Sequence, residues 1–304
     1  MKRNFIAIID FNKAEILETI ENAEDLKHKL LKGISYKPLA GKTLAMIFQK
    51  PSARTRISFE VGMYQLGGHA VFLSPSDIGL GKRESVADVA RVISRYCDGV
   101  MARVFGHNIV AELAKYATVP VINGLSDLLH PCQVMGDLMT VSEYKTLSKD
   151  LVITFVGDGN NVANSWLNMA SLIPMTLHLA VPEGYDPDSE ILKRAIQSGT
   201  STIKIFHDPF EAVKNGDVIY TDVWASMGQE QEALARKKVF QKFQVNNTLF
   251  EQAKPDCIIM HCLPAHRGEE ITDKVIDSPN SVVFDQAENR LHIQKAIMVK
   301  LMAK

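Results

Sequence analysis

Apolar residues come along this chain in short unbroken runs, separated by stretches with helical spacing. The run Thr43–Phe48 (TLAMIF) is too short for a globular helix and reads as a buried strand. Before it, Ile16, Leu17, Ile20, Leu26, Leu30 and Leu31 predict a helix over 12–31, with an Asn12/Glu15 capping box and Gly33 as its stop. After it, Lys50-Pro51-Ser52 ends the strand and a helix over 53–66 follows, with Ser52 as its N-cap. The alternation continues with a strand at 70–75, a loop over 74–84, a helix from Val86 to Ile93, a strand at 99–105 and a helix at 107–117. A strand at 119–124 and a helix over 131–147, opened by Pro131, complete this series. A second series starts with a strand at 151–158, and further strands are expected at 176–181, 202–207, 217–223, 257–261 and 281–284. A helix at 287–302 closes the chain.

Strands alternating with helices demand parallel sheets covered on both faces. The expected fold is α/β, with two doubly wound domains, each a parallel sheet flanked by helices. Residues 1–147 form the first, with the C-terminal helix (287–304) packing back on it, and 148–286 form the second. In such sheets ligands sit outside the carboxyl ends of the strands, so the active site is expected in the interdomain cleft. A length of 304 residues and an apolar share of 46% suit two globular domains. A net charge of −1 with scattered basic residues gives no footprint for nucleic acid. Cys97, Cys132, Cys257 and Cys262 have no CxxC spacing, which favours free thiols in a reducing cytoplasm. No secretory leader is read at the start, and no run of about 18 apolar residues predicts a membrane span.

Every cluster of candidate chemistry lies just past a predicted strand. Ser52 caps a helix at the end of the first strand, and Arg54 and Arg56 add cations at its positive end, which makes an anion trap suited to phosphate. Arg103 ends an apolar strand and is either a snorkelling side chain or a partner of that anion. His130 and Gln133, one turn apart at a helix mouth, suit a carbonyl oxygen and an amide, while Cys132 is expected to be inert. Gly157-Asp158-Gly159-Asn160-Asn161 opens like a dinucleotide fingerprint, but Val162 stands where the third glycine would be, which argues against nicotinamide binding. Asp222, followed by Ser226 and Met227, suits a substrate carrying an ammonium group; a capped loop is the alternative. Cys262 and His266 lack the partners of a zinc site, so no metal is expected, and Cys262 is read as lining a substrate pocket. Arg290 opens the last helix, where an exposed arginine is the ordinary case.

In order along the chain, the segments FQKPSARTR, MARVFGH, LLHPCQ, GDGNNVANSW, DVWASMG, HCLPAHRG and AENR resemble the aspartate/ornithine carbamoyltransferase family. The resemblance covers nearly the whole chain. It implies two α/β domains, an active site in the cleft between them, and a homotrimer or a multiple of trimers. It further implies that Ser52, Arg54 and Thr55 hold the phosphate of carbamoyl phosphate and that Arg103 bridges phosphate and carbonyl oxygen. His130 and Gln133 would contact the carbamoyl group; Asn161, Asp222, Ser226 and Met227 would receive L-ornithine; Cys262, the Leu263 backbone and Arg290 would close around the carbamoyl group and the amine. The Ser226-Met227-Gly228 segment favours ornithine over aspartate.

Two positions depart from the family pattern. Ala53 stands where a threonine is usual, leaving its backbone N–H but losing a hydroxyl worth on the order of 1 kcal/mol toward phosphate. Gly79 stands where many relatives carry a glutamine that reaches a neighbouring subunit's site. The implied reaction gives citrulline and phosphate, needs no cofactor, and must start from a neutral amine, although alkyl amines have a pKa of about 10.4. Arg103, His130, Asp222 and Cys262 are the expected catalytic residues. The alternatives are a carbamoyltransferase for another amine such as putrescine, a nicotinamide oxidoreductase, and a catalytically silent binding protein.

Overall fold

The computed structural model describes residues 2–80, 83–225 and 232–303. The chain packs as two compact units, Met1–Gly136 with Asn289–Lys304, and Asp137–Glu288. The boundary expected at 147/148 follows a helix, whereas the packing divides the chain within that helix.

In the first unit the capping box is present: Asn12 accepts from the Glu15 N–H at 3.0 Å, and the Glu15 carboxylate accepts from the Asn12 N–H at 2.9 Å. It starts α1 (Lys13–Leu31), followed by β1 (Thr43–Phe48), α2 (Ala53–Gln65), β2 (His69–Leu73), α3 (Pro75–Ile78) and α4 (Val86–Ile93). Then come β3 (Gly99–Arg103), α5 (His107–Tyr116), β4 (Val121–Leu125) and α6 (Pro131–Tyr144). The loop expected over 74–84 contains α3, because Ser74 and Asp77 cap each other there and Pro75 occupies the first helical position. The four strands are parallel in the order β2-β1-β3-β4. Ala45 and Ile47 of β1 with Val100 and Ala102 of β3 face a layer holding Val89 and Ala90 of α4 and Leu113 of α5. The intervening Leu44, Met46, Phe48 and Met101 are also buried, as a sheet covered on both faces requires.

The second unit carries β5 (Val152–Val156), α7 (Asn161–Ala170), β6 (Thr176–Ala180), α8 (Ser189–Gln197), β7 (Thr202–Phe206), α9 (Pro209–Ala212) and β8 (Val218–Thr221). It continues through α10 (Ala233–Phe240), α11 (Asn247–Phe250), β9 (Ile258–His261) and α12 (Asp273–Ile276) to the start of α13 (Val283–Met302), whose later turns belong to the first unit. Its five strands are parallel in the order β7-β6-β5-β8-β9.

One expected strand is absent. Residues 281–284 make only an isolated bridge, Ile259 to Ser281, with the Val282 N–H donating to Ile259 O at 3.0 Å. Val283 already begins α13, and Gln286 N–H returns to Val282 O at 2.9 Å. A short apolar run cannot distinguish a strand from the buried first turn of a helix.

The strand orders locate the sites. In the first sheet the chain leaves β1 toward β2 and then crosses back to β3, so the order reverses between β1 and β3. In the second the reversal falls between β5 and β8. Crevices for ligands open at such points, past the carboxyl ends of the strands. Among the described residues, no helix is long and apolar enough to cross a membrane.

Candidate active site

The first unit gathers its cations past the ends of β1 and β3. Ser52 caps α2, its hydroxyl accepting from the Thr55 N–H at 3.3 Å. Thr55, fully buried, brings its hydroxyl within 3.2 Å of Ser52 Oγ, 3.2 Å of an Arg290 guanidinium nitrogen and 3.5 Å of one from Arg103. Two guanidinium groups and the positive end of a helix therefore meet around one hydroxyl. Such a concentration of positive charge favours an anion at this point. Ala53 and Arg54 sit exposed on the first turn. Arg290 is buried, not the exposed helix arginine that its position would ordinarily give.

His130 precedes α6; its carbonyl accepts from the Gln133 N–H at 3.1 Å and the Val134 N–H at 3.3 Å, and both side chains are buried. Burial, then Arg290, then Arg103, hold the His130 pKa well below the usual 6.5. The imidazole is thus neutral, able to hydrogen-bond a carbonyl oxygen without adding charge. Cys132 donates to Asn123 O at 3.3 Å, and burial pushes its thiol up to about 12, which disfavours the reactive thiolate.

The second unit gathers its polar groups past β5, β8 and β9. Asp222 follows β8 and is buried. Its Oδ2 accepts from Asn160 Nδ2 at 2.8 Å, and its Oδ1 accepts from the Cys262 thiol at 2.8 Å. Asn160 also caps α7, accepting from the N–H groups of Val162 at 2.9 Å and Ala163 at 3.2 Å. Asn161, the asparagine expected to receive substrate, is the first residue of α7. The structure thus puts Asp222 and Cys262 in direct contact and adds a second partner for Asp222, Asn160, whose N-cap position before α7 was the available signal. Ser226 and Met227 lie outside the described residues.

Cys262 and Leu263 are held by a buried pair that sequence reasoning missed. His261 Nδ1 accepts from the Leu263 N–H at 2.8 Å, so Nε2 carries the proton and meets Glu270 Oε1 at 3.0 Å. The Glu270 carboxylate also accepts from the His266 N–H at 2.5 Å. Leu263 adopts the left-handed conformation, φ 55°, at a bend in the chain. Ligand atoms of Asp222, His261 and Cys262 lie within 4.8 Å of one another, as do those of His266, Glu269 and Glu270. In the first group both His261 nitrogens and the thiol proton are already engaged, which does not suit a metal ion.

The nicotinamide alternative meets a steric answer. Gly159 does not admit a pyrophosphate: a Cβ there would lie 2.4 Å from Asp186 C and Pro187 N. The backbone of 185–187 fills that space, and the Gly159 N–H donates to Tyr185 O at 2.9 Å.

The comparisons agree with both halves. Residues 3–143 match the family model "Aspartate/ornithine carbamoyltransferase, carbamoyl-P binding domain", and 149–301 match "Aspartate/ornithine carbamoyltransferase, Asp/Orn binding domain". The chain belongs to the aspartate/ornithine carbamoyltransferase family. It is 57% identical to an ornithine carbamoyltransferase of Syntrophus aciditrophicus, over 98% of this chain and 99% of that protein. The solved ornithine carbamoyltransferase of Pyrococcus furiosus superposes with a TM-score of 0.95 at 55% identity, over 99% of this chain and 97% of that one. The anabolic enzyme of Campylobacter jejuni superposes with a TM-score of 0.93 at 40% identity, over 98% of each chain.

Proposed function

We propose that this protein transfers the carbamoyl group of carbamoyl phosphate to the side-chain amine of L-ornithine, giving L-citrulline and phosphate. The observation that carries this reading is the cationic corner at Thr55, joined by Arg103 and Arg290 beside a neutral His130. A doubly charged leaving group fits it, and a carbonyl oxygen gaining negative charge is stabilised by guanidinium and imidazole donors.

In this reading Ser52, the Ala53 N–H, Arg54 and Thr55 bind the phosphate, Arg103 spans phosphate and carbonyl oxygen, and His130 and Gln133 hold the carbamoyl group. Arg290 completes this cation set. Asn161, Asp222, Ser226 and Met227 receive ornithine, and Cys262 with the Leu263 backbone faces the reacting centre. The amine nitrogen attacks the carbonyl carbon, and the bond from that carbon to the phosphate oxygen breaks. The thiol–carboxylate pair of Cys262 and Asp222 orients the amine and receives its proton. No metal or organic cofactor takes part. The working form is a homotrimer or a multiple of trimers in the cytoplasm. The word "anabolic" in the names of the Pyrococcus furiosus and Campylobacter jejuni relatives supports the biosynthetic direction.

A citrulline assay with ornithine, putrescine and aspartate side by side tests the proposal. Turnover with ornithine well above the other two is the expected result. Activity confined to putrescine would assign a different carbamoyltransferase, and phosphate binding without any product would make this a binding protein.

A further inference from the structure

We propose that Arg236 is a positioning residue for the amine substrate, clamping the Trp224 carbonyl and the Asp158 carboxylate into one unit beside Asp222. The inference rests on the functional reading above and extends it to a residue that touches no substrate. Arg236 stands on α10 and is 5% exposed. Its Nε donates to Trp224 O at 2.5 Å, and a terminal nitrogen pairs with Asp158 Oδ2. Its guanidinium lies 4.8 Å from the Tyr185 ring and 5.1 Å from that of Phe240, which itself stacks on Trp224 at 6.1 Å. Trp224 is two residues past Asp222 and two before Ser226, so the carbonyl held by Arg236 fixes the chain between two proposed ornithine ligands.

The carboxylate end of the clamp reaches the same place by another route. Asp158 follows β5, and Asn160, two residues on, donates to Asp222. One guanidinium therefore ties together the chain past β5, the chain past β8 and α10. Arginine suits this role because its planar fork serves two acceptors at fixed angles, which a lysine ammonium does not. A guanidinium enclosed by two rings is expensive to bury for packing alone, and leucine or methionine would fill the space without desolvating a charge.

The clamp also responds to pH. Asp158 is pushed up to about 6, chiefly by burial, with Asp222 and Glu232 adding to the rise and Arg236 opposing it. The charged groups facing it are Arg236 from α10, Glu232 just before α10 and Asp222 at the end of β8. Below about pH 6 the carboxyl is neutral and the Arg236 pair weakens.

The test is steady-state kinetics on wild type, Arg236→Gln, Arg236→Lys and Asp158→Asn. In Arg236→Gln the ornithine KM is expected to rise tenfold or more while the carbamoyl phosphate KM stays within twofold, with Arg236→Lys only partly restoring it. In wild type the ornithine KM is expected to climb as pH falls through about 6, and Asp158→Asn is expected to abolish that step. An ornithine KM unchanged in Arg236→Gln, or equal losses toward both substrates, overturns the proposal. A second measurement uses no substrate: Trp224 emission against pH. A step near 6 in wild type that is missing in Asp158→Asn supports the clamp, and the same curve in both refutes it. Wild type without citrulline formation would instead defeat the functional reading, while the emission curves still decide the clamp.

Discussion

Alanine at Gly159 would put a methyl carbon 2.4 Å from Asp186 C and Pro187 N, and 2.5 Å from Tyr185 O. Ordinary contact begins near 3.4 Å, so about 1 Å of movement is required, and all three atoms are backbone. No side chain can swing away. Gly159 is not among the positive-φ glycines, so the cost is steric, not conformational. Overpacking of this kind costs about 1–3 kcal/mol. Moving 185–187 also stretches the Gly159 N–H to Tyr185 O bond, worth about 0.5–1.5 kcal/mol. The expected loss is about 2–4 kcal/mol, a shift of the urea midpoint on the order of 1 M at unchanged slope. Asn160 is the next residue, so its bond to Asp222 is disturbed and the ornithine KM should rise with the loss of stability. A variant within about 0.5 kcal/mol of wild type, with an unchanged ornithine KM, would show that the 185–187 backbone does not fill this space as described.

Further expectations follow from the two clusters. Arg54→Ala should weaken carbamoyl phosphate binding by about 1.5–3 kcal/mol in isothermal titration, and equal affinities would remove Arg54 from the phosphate site. Asn160→Ala removes an N-cap and a donor to Asp222, so about 1–2 kcal/mol of stability should go, with a raised ornithine KM; unfolding curves that overlay wild type would contradict the capping geometry. His130 folds with its pKa held below that of the unfolded chain, so the unfolded state binds more protons just under pH 6.5. The His130 contribution to stability should therefore rise with pH up to about 6.5 and then level, by up to about 1.4 kcal/mol per pH unit, and His130→Gln removes that contribution. A pH–stability curve identical in that variant would refute the assignment.

Much of the architecture is legible in local pattern. TLAMIF and its counterparts are apolar because both sheet faces are covered, and Pro51, Pro131, Asn12 and Ser52 mark helix starts through chemistry confined to a few residues. The pattern misleads at 281–284, where two buried valines begin a helix. Among site residues, Arg103, His130 and Asp222 stand at strand ends or at a helix mouth and could be picked from order alone. Asn160 is harder, because neither of two adjacent asparagines shows in sequence which side chain turns back to Asp222.

By itself the sequence determined the alternation of strands and helices, the strand ends at which chemistry collects, and the motifs that mark the family. Those features depend on neighbours within a turn or two along the chain. Only tertiary structure decided that Thr55 lies between Arg103 and Arg290, that His261 leans on Glu270, that Asp158 meets Arg236, and that Gly159 is packed under 185–187. The reason is physical: a buried charge or an empty glycine face is answered by whatever the fold brings alongside. Here the answering groups come from as far as 235 residues away in sequence.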